Sequence, residues 1–223
     1  MGPAVGRLAG CLALGVVLAP AAGWLHAPAA AAAQVQALFP SDRLTAPDPR
    51  QSTGRRVALP LPDCAADAAG CDEVRLVNEL DGFSVNPRVA IRFSGAVGLE
   101  SLTRASAFIV PLWSEPLPAP IGLSQLVWDG ESHTLYARPE RTLLQARRYA
   151  LVLTTKVLDE GGQPLTPSAG AALVAEASHG VSAQGLVFRQ LRTLGVPRGD
   201  VAAVSVFTTQ SVTAGLEQMR AAI

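Results

Sequence analysis

With 223 residues and 23.1 kDa, the chain is long enough to bury one large core or two small ones. Its formal net charge is +0, only 16% of its residues are charged and no basic run occurs, which excludes nucleic acid as a partner. Hydrophobic residues make up 49% and aromatics only 5%, and much of the apolar weight is alanine near the start of the chain.

That start, MGPAVGRLAGCLALGVVLAPAAGWLHAPAAAAAQ, carries Arg7 in a short n-region and an apolar stretch from Leu8 to Pro20. Small residues follow, ending in Ala31-Ala32-Ala33 before Gln34. Residues 1–33 therefore read as a secretory signal with an A-x-A cleavage site, and the protein is expected to be secreted, periplasmic or at the cell surface. The apolar stretch is too short and interrupted to cross a bilayer, so no integral membrane span is expected after signal removal. Leu8-Ala9-Gly10-Cys11 has lipobox composition, but a lipobox follows the apolar stretch and this one precedes it.

Residues 34–73 are rich in Pro, Asp, Arg and turn formers, which predicts an extended lead with one short edge strand from Val57 to Leu61. After signal removal two cysteines remain, Cys64 and Cys71, and an even count in an exported chain predicts a disulfide. Closing a loop of about eight residues contributes roughly 2.5 kcal/mol through the unfolded chain. Asp63, Asp67 and Asp72 are poor companions for a thiolate-bound zinc, so no metal is expected there.

From Val74 to about residue 166 the pattern has period two. Val89, Ile91 and Phe93 alternate with Arg88, Ala90 and Arg92, predicting a strand with one buried face. Ala107 to Trp113 is a second strand, which Pro111 should confine to an edge or a bulge. Leu126, Val127 and Trp128 enter a hairpin turn at Asp129-Gly130, and Thr134 to Arg138 leave it. Tyr149, Leu151 and Leu153 alternate in the longest strand, and Gly161-Gly162 with Pro164 turn the chain after it. Several short strands separated by Gly/Pro turns predict a mainly β, antiparallel sandwich.

Residues 167–223 predict a helix-strand-helix tail. Val187, Leu191 and Leu194 follow helical spacing up to a stop at Gly195 and Pro197. Val201 to Thr209 is apolar without alternation, as in a strand buried on both faces. Val212, Leu216, Met219 and Ile223 form a final helical stripe without a capping residue, which suggests a natural chain that continues further.

The segment SHGVSAQG raises the one catalytic question. A nucleophile elbow needs glycine two residues before and two after the serine, on a sharp strand-to-helix turn. Gly180 meets the first condition, but Gln184 occupies the second position and the glycine arrives late, at Gly185. The preceding stretch is alanine-rich and not strand-like, and His179 is only three residues from Ser182. Ser182 therefore reads as an N-cap of the following helix.

The remaining candidates are weaker still. His26 leaves with the signal, and His133, beside a hairpin turn, and His179 are too few for a histidine metal site. Asp159 and Glu160 lack the ligand count of a calcium loop. Arg198-Gly199-Asp200 reads as a plain turn, and Trp113 and Trp128 as packing residues. No cofactor and no catalytic residue are expected.

The stretch from Pro87 to Leu165, with VAIRFSGAV, SLTRASAFIV, VWDGESHTLYARPERTL, RRYALVLTTKV and LDEGGQPL in that order, resembles the bacterial Ig-like domain of the SbsA type. The flanks LVNELDGFSVNPR and SVFTTQSVT, with the lead, resemble the N-terminal region of exported bacterial lipase-like (virulence-factor lipase) proteins. These resemblances imply an Ig-like sandwich over residues 74–166 and a non-catalytic accessory, spacer or interaction module, with a hydrolase domain or a cell-envelope component as partner. The alternative is the front of an extracellular lipase or esterase whose catalytic residues would all lie elsewhere. A carbohydrate-binding module would need an aromatic platform that 5% aromatics poorly supply.

Overall fold

The structure, a computed structural model, describes residues 2, 32–113, 119–167, 183–221 and 223. Residues 32–223 form one compact unit. In chain order its elements are β1 (Val35–Phe39), β2 (Thr45–Pro47), β3 (Arg55–Val57), α1 (Ala68–Val77), β4 (Val89–Phe93) and β5 (Ala107–Pro111). They continue with β6 (Ile121–Asp129), β7 (Thr134–Pro139), β8 (Arg148–Thr154), α2 (Ala183–Thr193), β9 (Val201–Thr208) and α3 (Ala214–Ala221).

Seven strands form one antiparallel sheet in the order β1-β4-β7-β6-β5-β8-β9, and β2 and β3 form a separate ribbon. The sheet folds over on itself at β6. Ile121 and Gly122 pair with Ile109 and Phe108 of β5, while Leu123, Ser124 and Val127 to Asp129 pair with β7. The ladder with β7 is interrupted by a bulge between Ser124 and Val127, with Gln125 at φ 52°. A bulge sharpens local bend and twist, and here it falls just after β6 passes from β5 to β7. The two ends of the sheet meet again where the Ser205 hydroxyl on β9 donates to the Pro40 carbonyl after β1, at 2.8 Å. The result is a nearly closed, mainly β sandwich.

Its main core lies between the layers. Val89, Ile91 and Phe93 from β4 and Leu135 from β7 face Ile109, Tyr149, Leu151, Leu153 and Phe207. The alternation read from the sequence places the β4 side chains inward and Arg92 outward. A second core lies on the outer face of β5, β8 and β9, where Val110, Val152, Val204 and Val206 are covered by Val187 and Leu191 of α2. β9 is thus sandwiched between the core and a helix, which is why it lacks alternation.

Several expectations needed correction. The lead was expected as coil apart from one short strand, yet it contains β1, paired with β4, and α1. The pairing of β1 shifts register between Val35 and Ala37, so its burial does not alternate. In α1 only Cys71 is buried, so no apolar stripe marks the helix. The edge strand expected at Val57 to Leu61 is β3, two residues earlier, pairing with β2. Pro111 lies on an interior strand, not an edge or a bulge. Pairing with β6 ends at Ile109, so the proline's missing N–H falls beyond that ladder. The stripe of α3 faces outward, with Leu216 and Met219 exposed. Ser182, His179, His26 and, Gly2 apart, the signal up to Ala31 lie outside the described residues.

Candidate functional site

The two outer faces of the sandwich are treated differently. α2 covers that of β5, β8 and β9, whereas that of β4, β7 and the second half of β6 carries arginines. Pairing of Val89 with Ala137 and Ala90 with Tyr136 sets residue 88 opposite residue 138. Arg88 and Arg138 are therefore cross-strand neighbours, a like-charge arrangement that is unfavourable unless an anion joins it. Among the described residues neither makes an ion pair, in contrast to Arg104 with Glu140 and Arg75 with Asp72.

Both side chains line a cavity of about 180 Å³ together with Gln125, Val127, Tyr136 and Ala137. The Arg88 guanidinium lies 4.6 Å from the centre of the Tyr136 ring, which holds it over the sheet. Arg138 Nη1 donates to the Asn86 carbonyl at 3.1 Å. Val127 pairs directly with Tyr136 and is 55% exposed, so the cavity has one apolar wall. Gln125 lies in the bulge that interrupts the β6–β7 ladder and lines the same cavity. The arrangement can hold an anion; it offers no nucleophile and base in contact.

A second cleft of about 240 Å³ opens where β1 meets β9, lined by Gln36, Leu38, Ser41, Arg43, Leu44 and Ser205. Beside it, Asp42 is 4% exposed and accepts from the Thr208 N–H at 2.8 Å and the Thr208 hydroxyl at 2.9 Å. Arg55 and Arg148 stand 3.7 and 3.9 Å from the same carboxylate. Burial pushes the Asp42 carboxyl up from the usual carboxylate range, opposed by Arg55, Thr208 and Arg148. The hydroxyls here are engaged, Ser205 with Pro40 and Thr208 with Asp42, so this is a clamp between chain segments rather than reactive chemistry.

The residues singled out from the sequence have structural surroundings. Cys64 and Cys71 are bonded, their Cα atoms 5.5 Å apart, at the start of α1. His133 is half-buried and stacks on Trp128, which also packs against Phe93. Trp113 meets Tyr149 edge-on at 4.7 Å. Asp159 caps its turn by accepting from the Gln163 N–H. Arg198 stacks on Phe188 at 4.3 Å, and the Asp200 carbonyl accepts from the Thr155 N–H. Among the described residues no group of His, Cys, Asp and Glu is placed to hold a metal, and no helix is long and apolar enough to cross a membrane. Arg88 and Arg138 were not singled out from the sequence. The outward position of Arg88 was legible from the alternation, but its proximity to Arg138 across the sheet was not.

No protein-family model matches the chain, and no curated protein does. Among solved structures it is similar to surface layer protein SbsC, domains 1–6, with 11% identity and a TM-score of 0.30 over 47% of this chain and 16% of that one. It is also similar to the S-layer protein rSbsC, with 12% identity and a TM-score of 0.30 over 47% and 16%. The N-terminal part of the bacterial S-layer protein SbsC gives 13% identity and a TM-score of 0.30 over 45% of this chain and 26% of that one. The match thus spans a minor part of each of those proteins.

Proposed function

We propose that the protein is a non-catalytic interaction module of an exported bacterial protein, acting at the cell envelope or outside the cell. One observation carries this reading: among the described residues the outer face of β5, β8 and β9 is covered by α2, whereas on that of β4 and β7 Arg88 and Arg138 line an open cavity. The signal-like start and the Cys64–Cys71 bridge support export into an oxidising compartment. The Ig-like and lipase N-terminal resemblances of the sequence agree with an accessory role beside a hydrolase domain or an envelope component.

The test combines activity with retention. Purified protein, with Ser182→Ala as control, is assayed on a short-chain nitrophenyl ester and, in parallel, on isolated bacterial envelopes. Envelope retention that falls with rising salt, without ester turnover, is the expected result. Turnover lost in Ser182→Ala would overturn the non-catalytic reading.

A further inference from the structure

We infer that the cavity between Arg88 and Arg138 binds the carboxylate of an organic acid with a short apolar body. This rests on the reading of the β4-β7-β6 face as an interaction surface. Arg88, the residue before β4, and Arg138 on the neighbouring β7 line the same cavity, with no carboxylate of the described residues paired to either. Guanidinium donors match the two oxygens of a carboxylate, and an anion between two such groups removes their mutual repulsion.

Each arginine is held in place by a contact that leaves donors free. Among the described residues, Arg88 is stacked on Tyr136, a contact that uses its face and not its N–H groups, and Arg138 commits Nη1 alone, to the Asn86 carbonyl. The apolar wall decides the ligand class. Val127, 55% exposed beside the Tyr136 ring, would stay wetted against an inorganic anion, whereas a short aliphatic body covers it. At about 180 Å³ the cavity admits a small group rather than a large ligand. β4 and β7 are both interior strands, so a peptide laid on this face would find no free backbone ladder, which favours a ligand read by side chains.

The experiment titrates the protein with acetate, propionate, butyrate and inorganic phosphate at constant ionic strength, following the arginine Nε–H resonances by NMR. Saturable shifts at Arg88 and Arg138 are expected for the carboxylates, with half-saturation at roughly millimolar concentration, as suits a ligand with few contacts. Each added methylene should tighten binding about two- to fourfold, with phosphate the weakest. Arg88→Gln or Arg138→Gln should raise the midpoint at least tenfold, and Val127→Ser should flatten the chain-length series. In ligand-free protein, Arg138→Gln should leave the melting temperature equal or higher, which separates loss of binding from loss of fold. Equal shifts with all four anions, or an unchanged midpoint in Arg138→Gln, would overturn the inference. Envelope retention that survives this outcome leaves the broader interaction reading standing, and its loss removes both.

Discussion

The Tyr149 hydroxyl accepts the Leu144 backbone N–H at 2.8 Å, closing the corner that leads into β8. The ring also stacks on Phe207 at 5.8 Å and meets Trp113 edge-on, so one residue joins the corner, the core and the neighbouring strand.

Tyr149→Phe keeps the ring and removes the acceptor, and should cost about 1 kcal/mol in urea unfolding at neutral pH. Burial holds the Tyr149 hydroxyl above the ordinary tyrosine range. A folded-state value above the unfolded one of about 10 means that this group's contribution is complete below that pH. It is lost as pH rises toward the folded value, because the unfolded chain ionises first. Wild type should therefore lose stability on the alkaline side more steeply than Tyr149→Phe. Parallel slopes above the tyrosine range would contradict this.

Asp42 joins residues far apart in the chain, Thr208 and Arg148 as well as Arg55 on β3. Asp42→Ala strips two arginines of their shared carboxylate and should destabilise by about 3 kcal/mol. Asp42→Asn, which retains an acceptor for Thr208, should cost less. Chemical denaturation of the three proteins checks the ranking, and an Asn variant worse than the Ala variant would refute it.

The disulfide closes a short loop at the start of α1, where the Asp67 carboxylate also accepts the Gly70 N–H at 2.8 Å. Paired replacement, Cys64→Ser with Cys71→Ser, should lower stability by roughly 2.5 kcal/mol if the bridge acts by restricting the unfolded chain. Buried Cys71 contributes packing as well, so Cys71→Ser alone should fall below Cys64→Ser alone. Equal stability of the reduced and oxidised protein would show that the bridge does nothing.

Local periodicity made part of this molecule legible. Val89, Ile91 and Phe93 announced β4, and Asp129-Gly130 announced the hairpin of β6 and β7. Val187 and Leu191 announced α2, whose buried side was read correctly. β1 was not legible because its bulge breaks the alternation, and α1 because only one of its side chains is buried. An N-cap was available as a signal for α1 in Asp67, which the proline-rich surroundings obscured.

By itself the sequence determined the strands β4, β5, β8 and β9, the hairpin of β6 and β7 and the helix α2, since these follow from neighbours two to four residues apart. Only the tertiary structure decided that Arg88 and Arg138 line one cavity, that α2 covers the layer of β5, β8 and β9, and that Asp42 meets Thr208. Those are contacts between distant parts of the chain. Their free energy depends on strand register and on which faces are removed from water together, quantities that no local pattern encodes.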